Sequence, residues 1–364
     1  MKKLLILLLS LTYFQARAQI KVPIKIDTTQ QKTQHLYQFI KSYMQKDTIS
    51  NQLWHPKYKA KTGYDYTVDW IWKIYAPKKI TTLFDVELAE LQQINDTLSY
   101  FKILVKTKPG KKDAFSGVYK YYIVKRDGKF YLDNCKVYDS GRFKKYITRN
   151  LHFYQSPFYH IDEEEMNKAN RQLDTLYIQL QKPHLAKPIE YYMCSSEEEL
   201  NNLSNIVLWD GGLGGFTNIP EGFVVAINNN PFYKHEFIHA ILGMGANCFF
   251  LQEGIASLYG GMNKGTIGYA QGIKELQECY QKGDCNFENL YAREVKQQYN
   301  SSLTYTFAAA FCKYLISNYG LDFFYKLYYD KEITTNNFIE KVSQKTGKSP
   351  AQIKRAVEKL ILPK

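Results

Sequence analysis

The residues with the clearest chemical potential lie between Tyr233 and Leu242, in the stretch YKHEFIHAIL. Residues four apart on a helix share a face, so His235 and His239 can direct both imidazoles toward one zinc ion. Glu236 lies about 100° further round such a helix, where it can reach a water beside the metal without being a ligand. Apolar residues fill the other positions and can bury the rest of the helix. The spacing therefore predicts a zinc-binding helix with a general base beside the metal.

A zinc site that performs chemistry needs three protein ligands and one open position. Glu253 is the candidate for the third ligand, because it lies in the otherwise apolar stretch from Phe249 to Tyr259. An ionised carboxylate in such surroundings is costly to bury unless it is paired or bound to a metal. The 14 positions from His239 to Glu253 allow one helix to end, turn at glycines and return as a second helix. The alternative explanation is a carboxylate favoured near a helix start by the helix dipole.

The two stretches HEFIHAIL and LQEGIASLYGG together resemble the gluzincin zinc peptidases, in particular their peptidase-MA-like branch. The resemblance covers roughly residues 188–360, and its most specific part is the first motif. It implies that His235, His239 and Glu253 are zinc ligands and that Glu236 is the general base. The later segment YTFAAAFCKYLISNYGLDFFYKLY, which begins at Tyr305, is also similar to that group.

Two positions depart from the pattern of that family. Many gluzincins have an Asn or Trp shortly before the Glu-Gly pair and an Asp four residues after the Glu. This chain has Gln252 and Ser257 instead. The departure concerns the groups that hydrogen-bond to the ligands and orient them, rather than the ligands themselves.

A secretory signal peptide is predicted for residues 1–18, because two lysines precede an apolar run and the small-residue site Ala16-Arg17-Ala18. The apolar run is short for a membrane span, and no later stretch is long and apolar enough to be a transmembrane helix. The chain is therefore expected to be exported to the periplasm or the outside of a bacterial cell.

The fold class expected after the leader is α+β, in two domains joined by a connector. Residues 19–150 are predicted as a small α+β domain with a helix over His35–Gln45, a strand from Leu98 and a hairpin that turns at Asp127-Gly128. Its hairpin, ending KRDGKFYLDNCKVY, weakly resembles the nuclear-transport-factor-like cones. This domain contains no constellation with metal or triad spacing, so a binding or spacer role is expected for it.

Residues 151–187 are predicted as a helical connector with one apolar stripe, and residues 188–364 as the gluzincin-like metallopeptidase domain. That domain should open with a strand from Ile189, a helix over Glu197–Leu203 and a strand over Ile206–Trp209, followed by a glycine-rich loop over the cleft. By the resemblance, the strand Phe223–Asn228 is expected at the sheet edge along which substrate lies. The remaining segments are predicted helical: about 265–281, 303–318, 321–329, 334–345 and 350–361.

Composition adds limits on partners and on redox chemistry. The formal charge is +13, but the lysines are scattered and no nucleic-acid motif is present, so nucleic acid is not an expected partner. Cys279 and Cys285 bracket a short glycine-containing loop and are the predicted disulfide among six cysteines. The other four lie in apolar runs and are predicted as buried thiols: Cys135, Cys194, Cys248 and Cys312.

The function expected from these residues is that of an exported zinc-dependent peptidase, with Zn²⁺ as cofactor and a peptide or protein as substrate. Zinc would activate a water, Glu236 would take its proton and Tyr305 would donate a hydrogen bond to the oxyanion. The alternative is a non-catalytic extracytoplasmic binding or scaffold protein that keeps the zincin fold. A zinc hydrolase acting on a non-peptide amide or on cell-wall material is a third option.

Overall fold

The structure is a computed structural model that describes residues 26, 30–47, 53–55, 77–109, 116–160, 162–209, 214–219, 222–262, 265–295 and 302–362. The predicted signal peptide, residues 1–18, lies outside these residues. The described chain is a mixed α+β structure with two sheets, so the predicted class is confirmed. It divides into two compact units, one of Met1–Gly141 with Asn201–Gly212 and one of Arg142–Leu200 with Leu213–Lys364.

The first unit is mostly strands, and the second unit ends in a run of helices. The helices are α1 (Gln31–Met44), α2 (Pro77–Leu83), α3 (Cys135–Asp139), α4 (Glu163–Gln179), α5 (Glu197–Leu203), α6 (Lys234–Leu242), α7 (Phe249–Gly260), α8 (Tyr269–Gln281), α9 (Phe287–Ala292), α10 (Ser302–Tyr328), α11 (Phe338–Thr346) and α12 (Pro350–Ile361). The strands are β1 (Phe84–Gln93), β2 (Leu98–Thr107), β3 (Ser116–Arg126), β4 (Lys129–Asp133), β5 (Lys144–Ile147), β6 (Leu151–Gln155), β7 (Ile189–Met193), β8 (Ile206–Trp209), β9 (Gly215–Asn218) and β10 (Phe223–Ala226).

The first unit is built on an antiparallel sheet in which β1, β2, β3 and β4 pair in sequence order. The β3–β4 hairpin turns at Asp127 and Gly128, whose φ angles of 50° and 73° suit the predicted Asp-Gly turn. Alternate residues of β2, such as Phe101 and Ile103, are buried and form one core with Ile40 of α1. The predicted helix, strand and hairpin of this unit are therefore confirmed.

The predicted domain boundaries differ from those of the structure at β8, which was expected in the second domain. β8 instead pairs antiparallel with β3, with Trp209 opposite Gly117, so residues 201–212 belong to the first unit. The buried side chain of Asn205 strengthens this attachment, because it accepts a hydrogen bond from the Cys135 amide and donates one to Asn134. Pairing between strands that are far apart in sequence leaves no local signal, which explains the error.

The second unit contains a five-stranded sheet in the order β5-β6-β7-β10-β9. Its three central strands are parallel, and the outer two pair antiparallel with their neighbours. Parallel neighbours need a crossover, and α4 supplies the one between β6 and β7. α4 begins after Asp162, which accepts a hydrogen bond from the Glu165 amide, and it buries the predicted apolar stripe. The segment 151–187 is thus part of this unit rather than a separate connector.

The expectation that the strand from Phe223 lies at a sheet edge is wrong. β10 lies between β7 and β9, and β9 is the outer strand on that side. β9 begins at Gly215, the last residue of the glycine-rich stretch Gly211–Gly215 that was expected to be a loop, and Gly215 to Asn218 pair antiparallel with β10. Residues 211–213 of that stretch lie outside the described residues.

Helices α6 to α12 form the rest of the second unit. α10 is interrupted at Gly320, whose φ of 82° separates the two predicted helical segments. α12 begins at Ser349, whose hydroxyl accepts from the Gln352 amide, as the Ser-Pro pair predicts. Helix α9 was not predicted; a capping box formed by Asn286 and Asn289 starts it.

Candidate metal centre

The short helix α6 carries the two candidate histidine ligands on one face. His235 and His239 are one turn apart, and their Nε2 atoms lie 3.3 Å from each other. Phe237, Ile238 and Leu242 are buried on the other sides of the helix, in the core of the second unit. The apolar contacts therefore fix the rotation of α6, and this rotation makes both imidazoles face the same point.

The next helix, α7, brings Glu253 to that point. Its Oε2 atom lies 3.1 Å from Nε2 of His235 and 3.6 Å from Nε2 of His239. Gly254 allows this approach, because a Cβ atom there would lie only 2.5 Å from the carbonyl oxygen of Ala308 on α10. The Glu-Gly pair therefore combines a candidate ligand with close packing of two helices. Among the described residues, these three side chains are the one group whose ligand atoms could hold a metal, all within 4.8 Å of one another.

The ring of His235 is oriented by a backbone carbonyl. Its Nδ1 lies 3.0 Å from the oxygen of Gly261, the residue that ends α7. A carbonyl only accepts, so Nδ1 carries the proton and, in the neutral ring, Nε2 presents a lone pair toward the centre. The helices meet closely here, since a Cβ atom on Gly260 would lie 2.5 Å from the Cα of His235.

The charges of the three groups depend strongly on one another. Although burial opposes it, the Glu253 carboxylate raises the pKa of His239 to about 9. Burial also opposes ionisation of Glu253, but the two histidines hold the pKa of its carboxyl far below the usual range. Nε2 of His235 lies 3.1 Å from Oε2 of Glu253 and 3.3 Å from Nε2 of His239, so the three side chains converge on one point. Two imidazoles and a carboxylate are a donor set that zinc favours, and they therefore fit that metal.

Glu236 lies beside the centre and is 7% exposed. Its Oε2 atom accepts a hydrogen bond from the hydroxyl of Thr217 at 2.8 Å. Thr217 belongs to β9, so the sheet and the helix α6 meet at this carboxylate. Glu236 is not part of the cluster formed by His235, His239 and Glu253.

Tyr305 of α10 lies at the rim of the same group. Its ring is 6.3 Å from that of His235 and 5.2 Å from that of Phe249, and the guanidinium of Arg293 lies 5.0 Å from the centre of the Phe249 ring. Burial and the charges of Glu253 and Glu236 raise the pKa of Tyr305 to about 12, so its hydroxyl stays protonated at neutral pH. Within the described residues this hydroxyl has no hydrogen-bond partner, so it is free to donate to a bound molecule.

The structure thus brings together all five candidate residues: His235, Glu236, His239, Glu253 and Tyr305. The other histidines take no part in the centre. His35 is an exposed residue of the first unit, and His184 lies 3.6 Å from Asp174. Cys279 and Cys285 form the predicted disulfide, and the four remaining cysteines are buried thiols, as predicted.

The two departures from the gluzincin pattern have different consequences. Gln252 donates from its side chain to the carbonyl oxygen of Ala246, and so ties the start of α7 to the preceding turn. Ser257 is fully buried, and its hydroxyl has no hydrogen-bond partner in the part of the chain that is described. The group that orients His235 is instead the Gly261 carbonyl. Sequence reasoning missed this group because a backbone oxygen has no residue-type signal.

A scan against protein-family models and a search of curated proteins each gave no match. Among the described residues, no helix is both long and apolar enough to cross a membrane.

Proposed function

We propose that this chain is an exported zinc-dependent peptidase that resembles the gluzincins. The observation that carries the proposal is the convergence of His235, His239 and Glu253 within 4.8 Å, with Glu236 held beside them. Two imidazoles and one carboxylate leave a tetrahedral zinc ion one open position, which is the arrangement of hydrolytic zinc sites. The second unit then corresponds to a zincin-like domain and the first to a cone-like companion.

When bound, zinc would polarise the scissile carbonyl and lower the pKa of a water. The protein residues carry out proton transfer, stabilise the oxyanion and orient the histidine. Glu236 accepts a proton from the attacking water and returns it to the departing amine. Tyr305 donates its hydroxyl hydrogen to the developing oxyanion, which its raised pKa permits at neutral pH. Gly261 holds His235 in the tautomer that leaves Nε2 available.

A non-catalytic binding protein with the same fold is the second candidate. The observation in its favour is Ser257, whose buried hydroxyl has no partner within the described residues at the position where many gluzincins carry an Asp. Sites that no longer catalyse a reaction often lack the carboxylate that orients a metal ligand. Against it, Glu236 and Tyr305 have no evident structural need to face the centre. The peptidase is therefore the better-supported function.

The deciding experiment is the substitution Glu236→Gln in the mature, zinc-loaded protein. Gln keeps the size of the side chain but cannot accept the water's proton, so we expect normal zinc content and a loss of peptide cleavage by several orders of magnitude. The control is Glu278→Gln on the exposed side of α8, which should cleave like the parent. Digests of a peptide library with and without a chelator supply the rates.

Three results would contradict the proposal. One is a parent protein that cleaves no peptide in the library although it contains zinc. The second is a zinc-loaded Glu236→Gln variant that cleaves at the parental rate. The third is cleavage by the parent that a chelator does not affect. The first result would favour the binding protein, and partner binding should then survive Glu236→Gln.

A further inference from the structure

The hydroxyl of Thr217 contacts Glu236 twice. Its Oγ1 atom lies 2.8 Å from the Oε2 atom of Glu236 and 2.8 Å from the backbone carbonyl oxygen of the same residue. Among the described residues it is the hydrogen-bond donor to this carboxylate. A buried carboxylate with a single donor depends on that donor for its position, because the glutamate side chain otherwise has three rotatable bonds.

The sheet fixes Thr217 in place. β9 pairs with β10 along its whole length, with Thr217 opposite Val224 and Phe216 opposite Val225. Gly215 allows the strand to approach α6, because a Cβ atom there would lie 2.7 Å from the ring of Tyr233, the residue that precedes the helix. A donor on paired backbone is held more firmly than one on a loop.

We propose that Thr217 is a positioning residue for Glu236, an inference that rests on the proposed peptidase function. Its hydroxyl carries one hydrogen and faces two acceptors, and it can donate to only one of them at a time. Donation to the carboxylate holds Glu236 in the orientation needed to receive the water's proton. Thr217 acts through Glu236 and does not touch the reacting atoms.

The hydroxyl, rather than the shape of the side chain, makes this contact. Valine has the shape of threonine but no hydrogen to donate, so it would leave the Glu236 carboxylate without this donor.

The test compares Thr217→Val with Thr217→Ser in the zinc-loaded protein. Valine keeps the shape and the strand preference, so folding and zinc affinity should match the parent. We expect kcat to fall roughly ten- to a hundredfold in the valine variant, with KM changed by less than about threefold. Serine restores the hydroxyl and should recover kcat to within about threefold of the parent. A simple packing role would predict the reverse order, because serine removes a methyl group.

A second measurement does not depend on activity. Crystal structures of the parent and both variants should show the Glu236 carboxylate in one place in the parent and in Thr217→Ser, and displaced or spread over several rotamers in Thr217→Val. Should the valine variant fold poorly, Thr217→Ala gives the same comparison. An unmoved carboxylate, or parental kcat in Thr217→Val, overturns the positioning role while the parent remains a peptidase. A parent without peptidase activity overturns the proposed function and this role with it.

Discussion

His235 donates its Nδ1 hydrogen to the carbonyl oxygen of Gly261 across 3.0 Å. The bond links the start of one ligand helix to the end of the other, since Gly261 follows α7, which carries Glu253. In many zinc proteins a carboxylate orients the histidine that binds the metal, whereas here a neutral carbonyl orients His235. The geometry of the centre therefore depends on how closely α6 and α7 approach, and glycines control that approach.

The first prediction concerns Gly260. A Cβ atom there would lie 2.5 Å from the Cα and 2.6 Å from the amide nitrogen of His235, so Gly260→Ala must push the two helices apart. We expect a loss of about 1–3 kcal/mol in the free energy of unfolding, as for other overpacked sites. Zinc affinity should fall at least about tenfold, because the ligands no longer converge.

Gly268→Ala is the matched control for Gly260→Ala. No atom lies within 4 Å of a Cβ placed on Gly268, and its φ of −77° suits alanine. Alanine is a poorer N-cap than glycine at the start of α8, so stability should fall by about 1 kcal/mol at most, with unchanged zinc affinity. Chemical denaturation and competition with a chelator measure both quantities. Parental zinc affinity in Gly260→Ala would refute the role given to this contact.

The second prediction concerns the ligand set. The purified mature chain should contain one zinc ion, and His235→Ala or His239→Ala should abolish binding at micromolar zinc. Glu253→Ala should weaken binding strongly, and Glu253→Gln should weaken it less, because an amide oxygen can still coordinate. Elemental analysis and titration supply the data. If Glu253→Ala binds zinc like the parent, the carboxylate serves only the packing of α7 and another ligand completes the site.

Much of the centre could be predicted because the patterns that mark its residues lie within short stretches of the sequence. The spacing of His235 and His239 follows from the helix period, and a carboxylate within the apolar helix α7 marks Glu253. The other contributors depend on tertiary structure. Thr217 lies two residues after the glycine-rich stretch Gly211–Gly215, in a segment for which no strand was predicted, and it pairs with Val224 of β10. The Gly261 carbonyl has no signal in the sequence.

The fold shows the same division between local and distant information. Helices α4, α6 and α12 follow from apolar periodicity and capping residues, and the β3–β4 hairpin follows from Asp127 and Gly128. Strand order does not follow from such patterns. β8 joins the first unit through β3, and β10 occupies an inner position because β9 covers its outer side. The pairing of β8 with β3 and of β10 with β7 joins residues far apart in the sequence, where the chain has many alternatives, whereas β9 and β10 are neighbours along the chain.

The third prediction is a pH dependence of zinc binding. In the metal-free protein the pKa of His239 is raised to about 9, mainly by the Glu253 carboxylate acting against burial. Below that pH the free site holds a proton that zinc must displace. Zinc affinity should therefore rise about tenfold per pH unit from pH 6.5 to 8.5, and about one proton should be released per zinc bound.

Two measurements check this prediction. Competition with a chelator whose own pH dependence is known gives the slope of affinity against pH. Calorimetry in buffers of different ionisation enthalpy gives the number of protons released. An affinity that stays constant from pH 6.5 to 8.5 would mean that His239 is already neutral in the free protein, contrary to its contact with Glu253.

The fourth prediction concerns Tyr305, whose ring packs against His235 and Phe249 while its hydroxyl has no partner among the described residues. Tyr305→Phe keeps the ring contacts and removes only the hydroxyl. If the hydroxyl stabilises the oxyanion, kcat should fall by roughly 10²–10³ with little change in KM, zinc affinity or stability.

Tyr314→Phe is the matched control for Tyr305→Phe, because it lies nine positions further along α10 and its hydroxyl faces Tyr319. The control should keep parental kcat, although it also loses one hydroxyl from the same helix. Steady-state kinetics on one peptide substrate, with zinc content measured for each protein, gives the comparison. Equal kcat in the parent, Tyr305→Phe and Tyr314→Phe would assign Tyr305 to packing alone. The oxyanion would then need another donor, because zinc would be the only remaining electrophile in the proposed site.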